Sequence, residues 1–261
     1  MNRNQRWIIL AAMTLVFAAG CGGTKVLKEP QPMITTQPLA AASDQRVIAT
    51  LDWVIVRDGP GTWAKNADWD EYLLRISNPS DQPIQVTSMT VIDSLNTRVE
   101  PQPGRKQLVK GSKQSARRYK KSGIKVKAGR GAGTMLVAGA AVTAVGYGAA
   151  AVSVVGAGYG TAAGGAGAAA GGLLLLGPAL AVGGIVRGVR NSAVNNQIEQ
   201  RQKILPLEVP ASGEIALDVF FPLAPSPGAV ELAYSDTSGE HIIVIDTSAA
   251  LNGLHIDAQH E

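Results

Sequence analysis

Few side chains in this sequence could do chemistry, and their spacing argues against it. Cys21 is the sole cysteine, so no internal disulfide can form, and in an exported chain its thiol is either reactive or modified. The three histidines, His241, His255 and His260, crowd the C-terminal end without a ligand spacing such as H-x-x-x-H. That predicts surface or edge-strand positions rather than metal ligation. Asp68, Asp70 and Glu71 could gather a cation, but read as a solvated turn. Trp53, Trp63 and Trp69 could line a ligand groove; a core tryptophan with rim packing accounts for them as well. The nucleophile motif G-x-S-x-G, a Walker A loop and a G-x-G-x-x-G fingerprint after a strand are absent. The expectation is a non-enzymatic protein with no metal and no cofactor.

The rest of the chain is organised around residues 131–186, a charge-free run made almost wholly of Gly, Ala, Val and Leu between Arg130 and Arg187. About 20 apolar residues cross a bilayer once, so this run fits two crossings joined by a bend. Within it Gly156, Gly160 and Gly164 recur every four residues, and Gly167 and Gly171 repeat the spacing. On a helix such a stripe lets backbones approach closely, the small-residue mode of packing in membranes. The stripe resembles the glycine-zipper segments of envelope proteins, and that resemblance implies helix pairing or a homo-oligomer. Each half of the run is diluted by Gly and Ala, so insertion of one helix alone would be marginal.

Charge is segregated around the run. The formal net charge is +4, yet thirteen of the 24 Lys/Arg lie between Glu100 and Glu199, where there is no Asp or Glu. The rest of the chain holds eleven basic residues against all 20 acidic ones. Residues 101–130 carry eleven of the Lys/Arg and show no pattern that would bury a core, which predicts a basic loop. Its place beside the apolar run points to an anionic lipid surface rather than nucleic acid, with Arg117, Arg118, Lys120, Lys121, Lys125, Lys127 and Arg130 as head-group contacts.

Residues 1–20 read as an export signal: Arg3 and Arg6, then the apolar Trp7 to Phe17, then Ala18-Ala19-Gly20 directly before Cys21. This resembles the bacterial lipoprotein signal, although the family prefers Leu where this chain has Ala18. The resemblance implies cleavage before Cys21, diacylglyceryl attachment to its sulfur and a further acyl chain, palmitate-like, on the new N-terminus. Gly22 in place of the Asp that often retains such proteins in the inner membrane implies the outer membrane, facing the periplasm. Residues 21–45, rich in Gly, Pro, Thr and Gln, read as a lipidated flexible tether.

Strand patterns occupy both flanks of the run. Residues 46–100 hold three, broken by Asp58-Gly59-Pro60-Gly61 and Asn78-Pro79-Ser80-Asp81. Residues 204–248 hold four more, the last two a hairpin about Ser238-Gly239. Neither set closes a core alone. Together they resemble an immunoglobulin-like sandwich without its Cys pair, split by the inserted transmembrane helical hairpin. Residues 187–203 read as a connecting helix and 249–261 as a C-terminal tail, frayed from Asn252. The fold expected is mainly β. The function expected is that of a membrane-anchored envelope lipoprotein, structural or adaptor-like, whose sandwich binds an envelope protein partner. The alternative is an oligomeric glycine-zipper pore or membrane-perturbing protein.

Overall fold

The computed structural model describes residues 24–31, 37–135 and 190–257. The protein is mainly β, built on two antiparallel sheets whose inner faces supply one hydrophobic core. The first sheet has the order β2 (Ala40–Ser43), β3 (Ile48–Ile55), β5 (Asp70–Asn78), β9 (Gly213–Phe221). The second runs β11 (Gly239–Asp246), β10 (Ala229–Asp236), β6 (Ile84–Ile92), β7 (Arg98–Val99), with β8 (Leu207–Val209) also paired to β6. A small ladder joins β1 (Lys25–Val26) to β4 (Ala64–Lys65).

Strands from before and after the charge-free run interleave in both sheets. β9 pairs with β5 over nine residues, from Asp70↔Phe221 to Asn78↔Gly213. β10 lies along β6, with a bulge at Ala233/Tyr234. The period-2 pattern of side chains explains the packing: Tyr72, Leu74 and Ile76 of β5 and Leu217, Val219 and Phe221 of β9 are all buried. Tyr72 meets Phe221 edge-on, with ring centroids 5.1 Å apart.

The two ends of this body differ. At one pole the strands are joined by tight polar turns: β2–β3 at Asp44, β5–β6 after Asn78, β8–β9 at Pro210 and β10–β11 after Asp236. Asn78 fastens two of these turns together, donating from Nδ2 to the carbonyl oxygens of Gln82, Val209 and Pro210. At the opposite pole lie the long connections and, among the described residues, two α-helices, α1 (Arg105–Lys121) and α2 (Arg190–Arg201).

Four sequence expectations change here. The basic loop is a 17-residue helix, α1. Its Lys, Arg, Gln, Leu and Ala are good helix formers, and Arg118, Lys120 and Lys121 suit the negative end of the dipole. Its buried stripe is Leu108, Ser112, Ser115 and Tyr119, half of it serine, so hydropathy did not reveal it. The flexible tether is in part structured: Lys25–Val26 and Ala40–Ser43 are strands, and Leu39, Ala40 and Ala42 are buried. The tail from Asn252 is packed through to Asp257, with Leu251, Leu254 and His255 fully buried. Ile204 opens no strand; it is 81% exposed, and β8 begins at Leu207. The expected helical hairpin at 131–186 lies, from residue 136 on, outside the described residues. Among the described residues no helix is long and apolar enough to cross a membrane.

Candidate functional site

Adjacent residues on a strand face opposite ways, so β5 sends Asp70 into the mouth between the sheets and Glu71 to the outer face of its own sheet. Both are buried, which corrects the reading of Asp68, Asp70 and Glu71 as a solvated turn. Only Asp68 is substantially exposed, and it pairs with Arg57.

Inside the mouth, the Nε2 of His255 lies 2.8 Å from the Oδ2 of Asp70, with both side chains wholly buried. The surface position expected for His255 is therefore wrong. Its Nδ1 accepts the backbone N–H of Gly129 at 3.1 Å, so the neutral ring carries its proton on Nε2 and donates it to Asp70. Burial pushes the Asp70 carboxyl above its ordinary value, with the His255 contact pulling the other way. The hydroxyl of Tyr72 has no hydrogen-bond partner among the described residues. Burial, then the nearby Asp70 charge, raises the Tyr72 phenol well above its usual range. Tyr72→Phe removes a buried hydroxyl that gains no hydrogen bond and should raise stability by about 1 kcal/mol. A loss of that size in urea unfolding would show that the hydroxyl is partnered.

On the outer face, the Nε of Arg201 donates to Glu71 Oε1 at 2.7 Å, and the indole N–H of Trp63 donates to Oε2 at 2.7 Å. The Arg201 guanidinium also sits over the Trp63 ring, 5.5 Å from its centroid. Burial raises the Glu71 carboxyl despite Arg201, and it raises Asp218, another neighbour of that guanidinium, in the same way. Trp53, Trp63 and Trp69 are all buried. The cavity beside Trp63 and Trp69 measures about 10 Å³, the space of one water, so this is core and not a ligand groove.

Helix α1 lies across the same pole and spans from one sheet to the other. Near its start, Gln102 N–H bonds to the Phe220 carbonyl. Mid-helix, the Ser112 hydroxyl donates to the Asp68 carbonyl at 2.5 Å and accepts the Leu223 N–H at 2.9 Å. Gly111 has no room for a side chain, because a Cβ would stand 2.5 Å from Pro222. At the far end Tyr119 closes the second sheet. Its hydroxyl lies 2.9 Å from the Ser94 hydroxyl and donates to the Pro225 carbonyl at 3.1 Å. Arg118 reaches back to the fully buried Asp93 at 2.7 Å.

The expected head-group contacts therefore divide. Arg118 is committed to Asp93, and Lys125 and Arg130 flank Asp257 at 3.3 and 3.5 Å. The hydrogen bond from Lys125 and the neighbouring cations hold the Asp257 carboxyl below its ordinary value. Arg117, Lys120, Lys121 and Lys127 are exposed, with no carboxylate in salt-bridge range among the described residues. Lys106, Lys110 and Lys113, which sequence reasoning left out, share that state. Their spacing on a helix was the signal that could have found them. With Arg105 and Arg117 they line a groove of about 410 Å³. Cys21 and the glycines Gly156, Gly160, Gly164, Gly167 and Gly171 lie outside the described residues. Among the described residues no cluster of His, Cys, Asp and Glu could hold a metal.

No protein-family model matches the chain, and no curated protein or solved structure matches it.

Proposed function

We propose that this chain is a non-enzymatic, membrane-anchored envelope lipoprotein with a structural or adaptor role. Its β body is an immunoglobulin-like sandwich split by the apolar run, which forms a paired helical hairpin in the outer membrane. The body stands in the periplasm and binds an envelope protein partner. The observation that carries this reading is a convergence. The first described residue, Thr24, is three positions after Cys21 and hydrogen-bonds to the Asn66 carbonyl, in the connection that carries β4. Met135, the last described residue at the start of the run, is buried, and Ala132 packs near Gly59 at the same pole. After the run the chain resumes as α2, whose Arg201 pairs with Glu71 there. Every chain path toward the lipid-type cysteine and the apolar run thus starts from one end of the body.

Cys21→Ser should leave an unprocessed precursor that takes up no labelled palmitate. A native protein whose intact mass begins at Met1 with a free thiol would overturn the reading. The glycine stripe favours a second reading, an oligomeric pore. Discrete conductance steps in liposomes would favour that pore over an adaptor.

A further inference from the structure

We propose that the outward face of α1 is a docking surface for anionic phospholipid head groups, which sets the whole body on the membrane with its helical pole down. The inference rests on the membrane attachment proposed above and adds the face, the lipid class and the orientation.

The helix carries two stripes of identical spacing. Leu108, Ser112, Ser115 and Tyr119 recur at i, i+4, i+7 and i+11, and all four are buried across the mouth of the two sheets. Lys106, Lys110, Lys113 and Arg117 repeat that spacing two residues earlier, and all four are exposed. Two residues are roughly 200° of helical rotation, so the cationic stripe points away from the body on the side opposite the buried one. Lys120 and Lys121 extend it to the C-terminal end, and the helix contains no acidic residue. None of the six has a carboxylate within salt-bridge range among the described residues, so the charge is left uncompensated. Among the described residues, the other side chains in the groove are Val109 and Gln114, with no aromatic ring for base stacking. Such a row, on a helix about 25 Å long, suits a plane of phosphates rather than a single pocketed anion.

Position selects the membrane as the source of those phosphates. Cationic helix and chain exits occupy the same pole, so acyl chains on Cys21 and an inserted run would bring this face to the lipid surface. The committed cations Arg118, Lys125 and Arg130 brace the fold, and those that remain point outward.

The test uses the full chain, purified in detergent and reconstituted into vesicles of phosphatidylcholine with or without phosphatidylglycerol. Flotation with the neutral vesicles reports attachment itself. Acylation by a water-soluble amine reagent, read by mass spectrometry, then reports the face. Lys106, Lys110 and Lys113 should react several-fold more slowly when phosphatidylglycerol is present, since about 1 kcal/mol per basic residue is roughly a fivefold occupancy term. High salt should restore the rates, and the exposed Lys203, which lies off α1 beside β9 with its N–H on the Asp218 carbonyl, should not change. Lys106→Gln with Arg117→Gln, both on the exposed stripe, should lessen protection of Lys110 and Lys113 and leave the unfolding transition where it was. Equal rates in the two kinds of vesicle, or equal protection of Lys203, would overturn the proposal. Protection by dissolved RNA as strong as by anionic vesicles would overturn lipid as the occupant. A chain that fails to float with neutral vesicles sinks the anchor, while the lysine rates with anionic vesicles still decide the face.

Discussion

Arg201→Met is expected to lower the unfolding free energy at neutral pH by about 3–5 kcal/mol, the usual cost of stranding one partner of a buried ion pair. Glu71 is 1% exposed at its side chain and Arg201 15%, so solvent screens the pair little. Arg201 also faces the half-buried Asp218, so its removal strands the buried Glu71 and weakens the cationic surroundings of Asp218. The sign of the pH dependence follows. Both carboxyls are already raised by burial, and without Arg201 they rise further. Groups with raised folded values favour the protonated form in the native state, so the variant's deficit should be full at neutral pH and shrink as pH falls into the carboxylate range. Adding Glu71→Met to Arg201→Met should cost less than the two single changes summed. Urea unfolding across pH checks all three statements. A deficit below about 1 kcal/mol at neutral pH would mean that the pair behaves as a surface bridge.

The second large effect is expected at Gly129. Its φ of +77° lies in the left-handed region, and a Cβ there would overlap the Arg57 carbonyl oxygen. Gly129→Ala should cost roughly 1–2 kcal/mol from the dihedral alone, and more from the collision. Because the Gly129 N–H also binds the Nδ1 of His255, the damage should spread to the Asp70–His255 contact and loosen the C-terminal segment. Hydrogen exchange should then rise at residues 251–257 before it rises in β5. Gly123, with the same φ but open space around its missing Cβ, is the control: Gly123→Ala should show the dihedral cost without the collision.

What the sequence disclosed, and what it hid, follow from the physics of each segment. The long strands were legible because β-branched runs end at Gly, Pro, Asn or Asp turns: β3, β5, β6, β9, β10 and β11 all stand within a few residues of their expected places. The two-residue strands β1, β4 and β7 left no pattern, since so short a stretch cannot display a period. Helix α1 was hidden because half of its buried stripe is serine and Gly111 lies beside it, residues whose value lies in close approach and hydrogen bonds rather than in apolar area. Asp70, Glu71 and His255 looked like solvent residues because each is satisfied by a partner more than 100 residues away in sequence. Local composition cannot reveal that. Of the expected site, the cationic segment was legible as charge, but its division into bracing and outward-facing cations appeared only with the helix in place.

The short ladder between β1 and β4 has a mechanical consequence. An acyl anchor on Cys21 would be joined to the body through Gly22 and Gly23, so tension on the anchor would reach Thr24 first and then Lys25 and Val26. Two residue pairs make a weak clasp, backed by the hydrogen bonds from Leu27 to the Trp63 carbonyl and from Gln31 to Thr62. Peeling the clasp would release the eight described residues from Thr24 to Gln31. At full extension they span roughly 27 Å. Under load the body would pay out like a short leash from a reel, rising off the membrane without either sheet coming apart.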